Sequence, residues 1–305
     1  MSKLQIRLFG KFTVERGTES LKGLDASKER ELLSYILVNR NQSHPRETLA
    51  SLLWGETTTE KSKKYLRQAL WHVQAALESS ESERKQLLMV EHDWVQLNPQ
   101  SGLWLDVEVF ERAFTATQGV PGDQLDKCSA TLLTEAVDLY KGDLLDGWYQ
   151  DWCLFERERL QNMYLSMLNK LMSYCEVTGN YEAGQSYGAT ILRYDRASER
   201  TYRRLMKLQY QAKDRTGALR QYERCVAALD EELGVKPEKR TTELYELIRN
   251  DAAKPVPSAG GPRESDQAVA LTEVLGRLKR VQVVLAALQR RVQRDVKAVE
   301  DTMRH

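Results

Sequence analysis

The chain has 305 residues, 41% hydrophobic and 29% charged, with a formal net charge of +1. That length suits two domains and an appendage, and that usage is of a globular protein rather than a disordered or membrane-embedded one. Near-neutrality excludes a protein coated in positive charge, so any nucleic-acid contact has to come from a local patch.

The first elements are short strands. LQIRLFG and KFTVERG alternate apolar and polar residues around Gly10 and predict a small antiparallel pair. Helical periodicity follows. SKERELLSYILVN carries Leu32, Leu33, Ile36 and Leu37 on one stripe, and HPRETLASLLW carries Leu49, Leu52 and Leu53 behind Pro45, which can open a helix. EKSKKYLRQALWHVQAAL, residues 60–77, is a third amphipathic helix, and in LLMVEHDWVQLN two alternating segments flank EHD as in a hairpin. Strands, three helices and a hairpin are the order of a winged helix-turn-helix with an extra amino-terminal sheet.

The third helix carries the chemistry. With Leu66, Leu70, Val73 and Leu77 buried, a turn of ~100° per residue puts Lys64, Arg67, Gln68 and Trp71 on the opposite face, with Lys61 at its edge. Residues 61–72 hold four Lys or Arg and no acid, although residues 1–110 balance fifteen basic against fifteen acidic residues. Lysine and arginine neutralise phosphates, and Arg or Gln can pair with purine edges in the major groove, which admits a helix. The candidate DNA-binding set is therefore Lys61, Lys63, Lys64, Arg67, Gln68, Trp71 and His72.

From Leu125 the pattern is almost wholly helical, with a weak repeat at a spacing of 35 that pairs Tyr187 with Tyr222, Ala183 with Ala218 and TGNYEA with KDRTGA. Such a period predicts tetratricopeptide-like (TPR-like) helical hairpins. RYDRASERTYRRLMK adds a second basic stretch, in which Arg196, Arg200, Arg203, Arg204 and Lys207 are candidate contacts for a phosphate-bearing ligand. Residues 251–265 hold three of the seven prolines and read as a linker. Beyond it Leu271, Leu278, Leu285, Val292 and Val299 recur every seven residues, and Val274, Val281 and Leu288 fill a second seam until Asp295 breaks it, which predicts a coiled-coil helix.

The four cysteines have no CxxC spacing and no histidine pair nearby, so they read as buried thiols rather than a zinc site or disulfide frame. No phosphate-cradling glycine loop, metal-ligand helix or nucleophile with a recognisable base is present, and no catalytic or metal residue is expected. Without a long apolar run or a signal-like start, the expected location is the cytoplasm.

LFGKFTVERG, KERELLSYILVNRNQSHPRETLASLLWGE, LRQALWHVQAAL and LWLDVEVFE together resemble the winged-helix domain of SARP-like bacterial regulators, related to that of OmpR-type response regulators. DWCLFERERLQNMYLSMLNKL, TGNYEAG, RYDRASERTYRRLMKLQYQAKDRTGALRQYERC and EELGVKPEKRTTELYELI resemble the bacterial transcriptional activator domain that follows it there. The resemblance covers about residues 4–250 and implies that Glu91 to Trp94 form the wing and that the loop from Trp54 to Thr59 faces polymerase or the next promoter-bound protein. In two respects the chain departs from that pattern: its recognition helix offers lysines and a bulky Trp71, and its wing is acidic.

The expected architecture is mainly α with small β: a winged-helix domain over 1–112, a TPR-like activator domain over 113–250, a linker over 251–265 and a coiled-coil helix over 266–305. The expected function is DNA-binding transcription regulation without a cofactor, with duplex DNA and RNA polymerase or another regulator as partners and homodimerisation through the last helix. The alternative is an effector that binds a small nucleotide messenger, such as a cyclic dinucleotide, and acts through a partner regulator.

Overall fold

In the computed structural model, which describes residues 4–17, 19–21, 24, 26–77 and 86–250, the chain begins with β1 (Leu4–Arg7) and β2 (Thr13–Arg16), antiparallel with Ile6 opposite Val14. Gly10 makes the turn between them at φ 78°, a conformation that costs a residue without Cβ nothing. β3 (Glu19–Ser20) extends the sheet beyond β2, and β7 (Trp104–Leu105) lies parallel to β1 on the other side. Ile6, Val14 and Leu105 turn into the core, as alternation requires.

α1 (Ser27–Val38), α2 (Arg46–Trp54) and α3 (Thr59–Leu77) form the three-helix body. Leu32, Leu33, Ile36 and Leu37 of α1 are fully buried, as are Leu66, Leu70, Val73 and Leu77 of α3 or nearly so. In α2 Leu49, Ala50 and Leu53 turn inward. Leu52, expected on the same stripe, is 41% exposed, because nine residues give a helix one buried edge and Leu52 sits ~100° round from it. Pro45 lies outside α2, in the bridge strand β4 (His44–Pro45), which pairs antiparallel with Trp94 and Val95. β5 (Leu88–Val90) and β6 (Trp94–Leu97) form the expected hairpin around residues 91–93, so the second sheet runs β4-β6-β5.

α4 (Asp106–Ala116) and α5 (Lys127–Leu139) lead to the hairpins of α6 (Asp151–Thr178) with α7 (Tyr181–Tyr194) and α8 (Glu199–Gln211) with α9 (Arg215–Leu233), closed by α10 (Lys239–Asn250). The repeat is real, but its register is 34 rather than 35. Left-handed Gly179 and Lys213, helix-capping Asn180 and Asp214, buried Gly184 and Ala218, and buried Ile191 and Cys225 are each 34 positions apart. Caps and burial define structural equivalence, and the Tyr and Ala coincidences at 35 do not share it. Small residues are needed where the hairpins touch: a Cβ on Gly188 of α7 would stand 2.6 Å from Leu205 Cδ2 of α8.

The expected boundary at 112/113 falls inside α4, and residues 1–250 form one compact unit. Four features tie the halves together. Asp106, 2% exposed, accepts hydrogen bonds from the backbone N–H groups of Leu8, Phe9 and Val107 at 2.7 to 3.0 Å. Burial pushes its carboxyl above the usual range, while those three donors pull it back. The segment after α5 returns to the first sheet, where Gly10 N–H donates to Asp143 and Leu145 N–H to Leu8, each at 2.8 Å. Arg157 of α6 holds that segment by donating to the carbonyls of Leu144, Leu145 and Trp148. Phe9, Phe110, Tyr140 and Tyr164 complete the seam with ring contacts, the last pair stacked at 4.1 Å.

Cys153, Cys175 and Cys225 are buried as expected, and burial pushes the Cys225 thiol up to about 12. Cys128 is exposed on α5 instead. Among the described residues no helix is long and apolar enough to cross a membrane, and no cluster could hold a metal ion. The linker at 251–265 and the coiled coil at 266–305 lie outside the described residues.

Candidate nucleic-acid interface

The α2–α3 turn is fixed by local hydrogen bonds: Thr57 Oγ1 donates to the carbonyl of Trp54 at 2.9 Å, and buried Ser62 donates through Oγ to that of Thr59 at 2.9 Å. With the stripe from Leu66 to Leu77 packed on α1 and α2, the opposite face of α3 is set in solvent. Lys61, Lys63, Lys64, Arg67, Gln68 and Trp71 are all exposed there, and Trp71 is 65% open.

Their charges are not equivalent. Lys63 pairs with Glu47 of α2, and that hydrogen bond holds the Glu47 carboxyl below its usual range. His72 is half-buried and turns to Glu29 of α1, so it anchors the helix rather than facing outward. Lys61, Lys64 and Arg67 have no carboxylate partner within ion-pair distance among the described residues. Three unanswered cations, an amide and an indole therefore make up the outward face.

Beside this helix the structure adds side chains that periodicity did not single out. Tyr65 is 40% exposed, with its ring 6.3 Å from that of Trp54. On the hairpin Met89 and Trp94 are 37% and 45% exposed. Trp94 lies at the end of the wing expected from Glu91 to Trp94, but its strand position points it outward, and only the pairing register reveals that. The hairpin tip is acidic: Glu91 and Asp93 are exposed, with His92 3.7 Å from Asp93, and Arg46 donates to the carbonyl of Glu91 at 3.2 Å.

The second basic stretch is organised differently. Arg204 is 9% exposed and donates to Glu176 at 2.6 Å, to Ser173 at 2.8 Å and to Asn169, locking α8 against α6. Arg203 reaches Glu238 at 3.1 Å and Thr241 at 3.0 Å, and Arg196 reaches Glu232 at 2.9 Å and Glu231 at 3.3 Å. Only Arg200 and Lys207 of the five candidates are exposed and free of a partner among the described residues. The arginine-rich run is mostly the mortar of the helical repeat.

The described residues thus join a winged-helix body with a solvent-facing basic third helix to TPR-like hairpins. Residues 105–249 match the family model of the bacterial transcriptional activator domain, which covers the helical part from β7 to α10. The solved structure of Mycobacterium tuberculosis EmbR in complex with a low-affinity phosphopeptide has the same fold, with a TM-score of 0.63 at 17% identity over 92% of this chain and 72% of that one. No curated protein matches the chain. The domain match identifies the helical part as similar to a bacterial transcriptional activator domain, and the structural likeness shows the fold.

Proposed function

We propose that the protein regulates transcription by placing α3 in the major groove of duplex DNA, where Lys61, Lys64 and Arg67 meet phosphates and Gln68 and Arg67 reach base edges. The observation that carries this reading is the face of α3 itself: three cations without carboxylate partners among the described residues and an amide, side by side on a helix whose other face is fully packed. Phosphates supply the missing counter-charge, and each one neutralised releases bound cations from the duplex. Trp71 adds a flat apolar surface that suits a thymine methyl or a sugar edge. The acidic tip at Glu91 and Asp93 is repelled by the backbone, so the wing contributes through Met89 and Trp94 or stays clear of it.

The helical half then couples the DNA-bound helix to RNA polymerase or to another regulator, without catalysis and without a cofactor. Pairing of two copies through residues 266–305 would let the protein hold repeated half-sites. A nucleotide messenger at the second basic stretch is the weaker reading, because Arg196, Arg203 and Arg204 are already answered by carboxylates and only Arg200 and Lys207 are left to grip a phosphate.

A binding comparison separates the two. The purified chain is titrated against a selected pool of random duplexes and against a panel of nucleotides that includes cyclic dinucleotides. Enrichment of a duplex sequence whose binding is weakened by Lys64→Ala with Arg67→Ala supports the DNA reading. Nucleotide binding lost in Arg200→Ala with Lys207→Ala, and no duplex enriched, overturns it.

A further inference from the structure

Single exposed apolar side chains are ordinary, but at the start of α6 three occur together: Tyr149 is 78% exposed, Phe155 72% and Leu154 41%. Gln150 caps the helix, so Tyr149 and Leu154 occupy the two positions that close on each other in a hydrophobic staple. Both are left in water instead. Asp151, Leu154, Phe155 and Glu158 follow one another at three- and four-residue spacing, share one face of α6, and are all exposed.

The charges around this strip are uncompensated. Asp151 and Glu158 have no ion pair among the described residues, and the arginines closest in sequence are committed elsewhere. Arg157 is turned inward to the carbonyls of Leu144, Leu145 and Trp148, and Arg159 pairs with Glu111 and Glu156. Adjoining the strip is a cleft of about 450 Å³ lined by Ser27, Gly147, Trp148, Tyr149 and Gln150. The Oε1 of Gln150 and the Nε1 of Trp152 are buried without a hydrogen-bond partner, an acceptor and a donor at the same corner of the fold.

We propose that this face of α6 docks a helix of another protein whose apolar stripe is bordered by lysines or arginines. The apolar pair Leu154 and Phe155 lies between two carboxylates, so a cation on either side of an apolar stripe matches it in charge as well as in spacing. The same carboxylates repel nucleic acid, an anionic membrane surface and an acidic helix. No residue of the face belongs to α3, so the inference stands or falls independently of the DNA reading.

The test uses the full chain and two fluorescein-labelled model helices, one with leucine at helical spacing bordered by lysine and a twin with glutamate for lysine. The lysine helix should bind at least about tenfold tighter than its twin, a gap of ~1.4 kcal/mol. Tyr149→Ser with Phe155→Ser should remove that preference, and Asp151→Asn with Glu158→Gln should weaken binding and flatten its salt dependence. Should the double serine variant melt early, Phe155→Ser alone, at a site 72% exposed, carries the test. Equal binding of both helices, or binding indifferent to the variants, overturns the proposal. So does a mass that halves by light scattering in Phe155→Ser, since a second copy would then be what covers the face.

Discussion

Removing the side chains of Lys64 and Arg67 should change how duplex binding responds to salt more clearly than it changes affinity at one salt concentration. Three α3 cations are unanswered by carboxylates among the described residues, so on the proposed reading each copy would neutralise about three phosphates through this face, and the plot of log affinity against log salt would gain a slope of about −2.7 from it. With one cation left, the contribution falls to about −0.9. Between about 50 and 200 mM salt the face therefore costs the wild type roughly 40-fold in affinity and the double variant roughly fourfold. Lys63→Ala supplies the internal control, because its ammonium already has Glu47, and it should move the slope less than either single substitution at 64 or 67. Fluorescence anisotropy on one labelled duplex across a salt series measures all five proteins. A slope that is the same in the double variant as in the wild type would refute the placement of this face against the backbone.

Trp71→Ala should weaken duplex binding several-fold and leave the melting temperature within a degree or two, because a side chain 65% exposed has little burial to lose; a large fall in melting temperature would make it a packing residue. Asp106→Ala strands three buried backbone donors and should cost about 3 kcal/mol or more by urea unfolding, whereas Asp106→Asn keeps one acceptor oxygen and should cost less. His44 is buried with its ordinary pKa of 6.5 lowered by burial, which outweighs its contact with the Asn39 carbonyl. The unfolded chain therefore takes up a proton as pH falls below about 6.5 while the folded chain resists, so stability is lost on going down through that window. The melting temperature of the wild type should drop more between neutral and mildly acidic pH than that of His44→Gln, and equal drops would sink the assignment.

Periodicity made the helices legible because a buried stripe repeats with the turn of the helix, and α1 and α3 follow it residue by residue. It misplaced Leu52 because a nine-residue helix offers too few turns to tell one apolar edge from two. The repeat register slipped by one because Tyr and Ala identities were matched, while the fold fixes equivalence through a left-handed residue and a capping side chain, which in the two hairpins are different residues: Gly179 with Asn180, and Lys213 with Asp214. Within the candidate site, the exposed face of α3 could be drawn from the helical wheel. Which of its charges are free could not, since Glu47 and Glu29 come from other helices, 16 and 43 residues away along the chain. The same limit applies to Arg204, whose partners on α6 lie 28 to 35 positions earlier.

The seam between the halves constrains how any signal could reach α3. A linker at residue 112 would let the winged helix swing freely, and a partner on the helical hairpins could then act only by tethering. Instead α4 runs through that point, Asp106 at its start grips the β1 backbone, and the segment from 140 to 150 pairs with the same strand's turn under the hold of Arg157. Tyr35 of α1 meets Trp152 of α6 edge to face at 5.3 Å, and Arg40, just beyond α1, pairs with Glu111, which also takes Arg159 of α6. α1 is in turn tied to α3 through Glu29 and His72. A partner seated on the first turns of α6 would therefore push on packed side chains and ion pairs that end at α3, the helix proposed to meet DNA. Coupling of this kind needs an element with two discrete arrangements, and the Arg40–Glu111–Arg159 cluster is the part of the seam built from exchangeable pairs rather than interlocked rings. Signal transfer through α1 would thus be more sensitive to Glu111→Gln than to trimming the aromatic contacts at Phe9 or Phe110, whose loss would loosen the whole unit and weaken every activity together.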